Sequence, residues 1–122
     1  MKRTPIRRVS VKHAREMKEY TRLRDQFMAD RPVCEVWLSD HLWQTVVDRN
    51  GRPTGEYCRG SYVTVPAEHL LAFGAPRSEE LHHREGRGKN YLKVSSWLAV
   101  SAQAHRRIHG SPSWARANGF LK

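Results

Sequence analysis

The chain has 122 residues, 22 Lys+Arg against 12 Asp+Glu, and a formal net charge of +10. With 39% hydrophobic residues and no run near the ~18 apolar residues of a membrane span, the composition points to one small globular domain and away from a membrane segment or wholesale disorder. Met1 to Ser10 is basic and lacks the apolar stretch of a secretory signal, so a cytoplasmic protein is expected.

The charge is uneven. Residues 1–31 carry ten basic and four acidic side chains, residues 32–78 carry four and five, and residues 79–122 carry eight and three. Basic ends around a neutral middle suit a polyanionic partner, since Lys and Arg contacts to phosphates supply most sequence-independent affinity for nucleic acid. The two cysteines, Cys34 and Cys58, are too few for a four-thiolate zinc cage, and two free thiols are expected rather than a disulfide. A mixed zinc site of Cys34 and Cys58 with His41 or His69 remains as an alternative, although its spacing matches no short ligand pair.

In chain order, residues 1–9 show no periodicity and read as a flexible basic arm, leaving 10–122 as the domain. Ala14, Met17, Tyr20, Leu23 and Phe27 recur at three and four residues, predicting a helix from about Val11 to Ala29 that stops before Pro32. From Cys34 to Val65 the runs CEVWL, LWQTVV and SYVTV are β-branched and aromatic. With Asn50-Gly51 and Pro53 to Gly55 as turn signals, they predict a small antiparallel meander. Ala67 to Phe73 is expected to form a helical turn or two, and Gly74 to Pro76 a connector.

Four of the seven histidines fall in two close pairs in the last third. His82-His83 precedes a glycine-punctuated basic loop, Arg84 to Asn90. Tyr91 to Val94 is expected to pair back as a strand, and from about Trp97 a helix is predicted that carries His105 and His109 on one face. A spacing of four stacks two imidazoles one turn apart, as a helix does when it offers two ligands to one ion. Neutral imidazole suits transition-type divalent ions better than magnesium. Gly110 closes that helix, and Pro112 opens a short terminal one through about Asn118.

Glu80-Leu81-His82-His83, followed by Ser96 nine residues before His105 and then by His105-Arg106-Arg107-Ile108-His109, resembles the HNH endonucleases. More loosely, the basic first helix, RPVCEVW, the HH-x-x-GR core, WLAV and the GFL tail resemble small phage-type HNH proteins. The resemblance implies an α+β fold around a ββα-metal finger at about 79–110, in which a hairpin packs on one helix around a divalent ion (Zn, Ni, Mn or Mg). It further implies hydrolysis of DNA phosphodiesters, with His83 as general base, His82, His105 and His109 as metal ligands, and Glu80 in a supporting position that in colicin-type relatives orients an arginine. Ser96 stands where the family's central asparagine usually is, with Asn90 as the residue that could compensate. Arg84, Arg87, Lys89, Arg106 and Arg107 are the expected phosphate contacts, and a phage or host protein is a further expected partner. The C-x-x-C pairs of a structural zinc knuckle correspond here to Cys34 with Trp37 and Ser101 with Ala104, so a second zinc is not expected. The rival expectation is a non-cutting HNH scaffold that binds nucleic acid or protein.

Overall fold

The computed structural model describes residues 10–61, 63–86, 88 and 91–122, and combines helices with two antiparallel sheets in an α+β arrangement. The arm at 1–9 and the loop residues Arg87, Lys89 and Asn90 lie outside the described residues. Helix α1 (Val11–Asp30) begins where the Ser10 side chain accepts from His13 N at 3.1 Å, satisfying a backbone donor that has no partner within the helix. Its apolar stripe is used only in the second half: Tyr20 and Phe27 are buried, whereas Ala14 and Met17 are exposed. The helix is 20 residues, about 30 Å long, and the four-residue strands it lies across reach only about 13 Å.

CEVWL is not a strand. It forms helix α2 (Glu35–Asp40), preceded by an isolated bridge between Val33 and Arg77. Val33 and Leu38 enter one apolar cluster while Cys34 and Val36 enter another, and burial on two sides yields an apolar run that sequence periodicity cannot separate from a strand. The helix ends in a Schellman turn, with Trp43 N bonded to Leu38 O at 2.8 Å and Leu42 at φ 62° where glycine is usual.

The meander is real but redistributed. Strands β1 (Gln44–Val47), β2 (Pro53–Arg59) and β3 (Val63–Pro66) form one sheet in that order. Asp48 accepts from Asn50 N and Arg52 N to close the first turn, while Pro53 to Gly55, read as turn residues, open β2 instead. Proline is tolerated there because the first residue of a strand need not donate to the ladder. Tyr57 of β2 and Leu70 of α3 (Ala67–Ala72) close the cluster around Val33 and Leu38.

The second sheet pairs β4 (Glu80–His83) with β5 (Trp97–Val100) in the register Glu80–Val100, Leu81–Ala99, His82–Leu98 and His83–Trp97. Two expectations are corrected here. Tyr91 to Val94 is not the partner strand but part of a turn leading into a 3-10 segment at Val94–Ser96, and WLAV is a strand rather than the start of the helix. WLAV is apolar at every position because both its faces are covered: Trp97 and Ala99 pack in the cluster of α1, Leu98 and Val100 in that of the C-terminal helices. Helix α4 (Ala102–Gly110) starts only after Ser101, whose side chain accepts from Ala104 N at 3.1 Å, and α5 (Pro112–Ala117) follows. Among the described residues no helix is long and apolar enough to cross a membrane.

Candidate metal centre

Successive side chains of a strand point to opposite faces, so His82 and His83 separate. Strand pairing assigns each a side: His82 lies opposite Leu98 on the face toward α4, and His83 opposite Trp97 on the face toward α1. On α4, His105 and His109 stand one turn apart with ring centroids at 4.8 Å, and the His82 ring lies 5.1 and 5.4 Å from them. One nitrogen from each of the three comes within 4.8 Å of the others. They are the one cluster of His, Cys, Asp or Glu among the described residues that could hold a metal ion.

Surrounding hydrogen bonds decide which nitrogens can ligate. His82 Nε2 lies 2.7 Å from the Phe120 carbonyl, which can only accept, so Nε2 carries the proton and Nδ1 keeps the lone pair. His105 Nδ1 lies 2.9 Å from Glu80 Oε1, which leaves Nε2, itself 3.1 Å from His109 Nε2, for an ion. Glu80 thus supports an imidazole here, where the resemblance implied an arginine. Burial, reinforced by the imidazoles of His105, His109 and His83 and opposed by the Phe120 bond, pushes the His82 pKa down to about 4. A neutral imidazole at physiological pH needs no deprotonation before it ligates. Three imidazole donors, two of them with outer hydrogen bonds, fit a borderline divalent ion such as zinc, with coordination positions left over for oxygen ligands.

The Phe120 carbonyl carried no signal in the sequence. It is delivered by the turn after α5, where Gly119 at φ 79° lets Phe120 N bond Ala115 O at 2.8 Å and the ring pack on Trp114. Lys122 N then bonds Arg84 O at 3.0 Å, drawing the tail across the end of β4.

A cavity of about 460 Å³ is lined by Glu80, Leu81, His82, His83, Gly86, His105 and His109, so all four proposed histidines share it. The other expected residues divide. The Ser96 hydroxyl donates to Lys93 O at 2.9 Å, and its carbonyl accepts from Arg84 N at 2.9 Å, so it closes the loop after β4 largely through its backbone. The Arg84 guanidinium contacts the carbonyls of Ser95, Ser96 and Gly119, a clamp on the loop and tail rather than an outward phosphate contact. Arg107 stacks 3.7 Å over Trp114 and pairs with Asp40, on the side of α4 away from His105 and His109. Arg106 is exposed.

Cys34 and Cys58 are free thiols, and Cys34 is buried in the cluster of Val36, Val100 and Ile108. Cys34, Trp37, Ser101 and Ala104 line one cleft between α2 and α4. No protein-family model matches the chain, nor does any curated protein or solved structure.

Proposed function

We propose that the chain is a metal-dependent endonuclease of the HNH type, in which β4, β5 and α4 form the ββα-metal finger and DNA is the substrate. One observation carries the reading: a strand and a helix bring His82, His105 and His109 to a common point beside a cavity that His83 also lines. A further one supports it, since the four positions matching the zinc-knuckle pairs of phage-type relatives meet in one cleft although they are far apart in sequence.

His82, His105 and His109 would hold the divalent ion, with Glu80 and the Phe120 carbonyl orienting two of the three. When bound, that ion supplies positive charge against the scissile phosphate and the departing 3′ oxygen. His83, on the opposite strand face and outside the ligand set, accepts a proton from the attacking water as the new P–O bond forms and the P–O3′ bond breaks. Arg106, exposed beside His105, is available to a flanking phosphate, and the basic N-terminal segment adds nonspecific affinity.

Incubation of the protein with supercoiled plasmid and a panel of Zn, Ni, Mn and Mg, with and without chelator, tests this. Relaxed and linear products that vanish with chelator and in His83→Ala are expected. Absence of products with every ion refutes the endonuclease reading. The alternative is a non-cutting scaffold that binds DNA or a phage or host protein. It is favoured by the Ser96 hydroxyl, which is engaged on Lys93 O in the position where the family usually has asparagine; unchanged plasmid together with salt-sensitive DNA binding would support it.

A further inference from the structure

We propose that Tyr20, on α1 and outside the hairpin–helix unit, is a positioning residue for His83, its hydroxyl holding the imidazole in the orientation a general base requires. The inference rests on the endonuclease reading of His83. Strand alternation puts His83 on the face of β4 toward α1, which brings Tyr20 of that helix against its ring. Tyr20 Oη lies 3.3 Å from His83 Nε2, and the two ring planes are within 12° of parallel with centroids 5.9 Å apart. Trp97 meets the same imidazole edge-on at 5.8 Å.

Tyr20 is itself held. It is 6% exposed, with ring contacts to Tyr91 and Trp97, both at 5.6 Å. Tyr91 ties α1 down by donating its hydroxyl to Glu16 at 3.0 Å, and its carbonyl accepts from Trp97 Nε1 at 3.1 Å. Phenylalanine would fill this aromatic box equally well, and burying a hydroxyl is unfavourable unless it is bonded. The contact to His83 is what the hydroxyl adds. A hydrogen bond to one ring nitrogen restricts rotation of the imidazole about χ2, and a base must stay within about 0.5 Å of its working position.

Tyr20→Phe removes the hydroxyl and keeps the ring. Steady-state cleavage of a DNA duplex in the best divalent ion should show kcat falling about 10- to 100-fold, the range for loss of an orienting hydrogen bond. KM, metal affinity and the thermal midpoint should stay near wild type. At fixed pH, long-range proton–nitrogen NMR should show the His83 Nε2 resonance moving in the variant. Unchanged kcat, or parallel losses in kcat, metal affinity and thermal midpoint, would overturn the proposal by reducing Tyr20 to a packing residue. Where wild-type protein cuts nothing, the endonuclease reading fails and the base-positioning role falls with it, while the NMR comparison reports the contact separately: an unmoved His83 resonance shows that Tyr20 does not hold the ring, and a shifted one shows that it holds the ring of a histidine that is not a base.

Discussion

Acidification of the metal-free protein should reveal His82. Its imidazole is 2% exposed and held neutral, with a pKa of about 4 against an ordinary 6.5. Between those values the unfolded chain binds a proton that the folded chain refuses, so stability is full above about pH 6.5 and is lost as pH falls toward 4. That separation corresponds to about 3 kcal/mol in all, of which about 2 kcal/mol disappears between pH 7 and pH 5. Loss of ~2 kcal/mol lowers the melting midpoint of a domain this size by about 8 °C. Urea denaturation of chelator-treated protein at a series of pH values measures the slope directly, and His82→Gln, which cannot titrate, should flatten it by the same ~2 kcal/mol. Parallel pH profiles for wild type and His82→Gln would refute the reasoning and show that burial does not hold His82 neutral.

Zinc at about 100 times its Kd should raise wild-type stability by ~2.7 kcal/mol at pH 7 and should do far less for His105→Ala, as denaturation with and without the ion will show. Leu42 is 76% exposed at φ 62°, so Leu42→Gly gives up little burial and relieves the left-handed strain; a gain of about 1 kcal/mol, near 4 °C in melting midpoint, is expected by calorimetry. Glu35 accepts from Ala99 N at 2.7 Å beside Arg31, although burial pushes its carboxyl pKa up. Glu35→Ala leaves that buried N–H without its acceptor and should cost about 2 kcal/mol with faster amide exchange in β5, whereas Glu35→Gln, which keeps an acceptor, should cost less.

Much of the site is local and was therefore legible. Spacing of four on a helix places His105 over His109 whatever the rest of the chain does, and Pro112 and Gly110 mark helix ends through backbone geometry alone. The adjacent pair His82-His83 also announces itself, and in a strand the two must point apart. Only tertiary structure decided which of them faces α4. That depends on pairing with Trp97 to Val100, and a run buried on both faces carries no periodicity to distinguish a strand from a helix. The same ambiguity hid α2, whose apolar residues divide between two clusters. Tyr20 and the Phe120 carbonyl were invisible as site groups for a different reason. Each lies about 40 or more positions from the histidine it contacts, and no local pattern encodes a hydrogen bond that forms only when separate elements pack together.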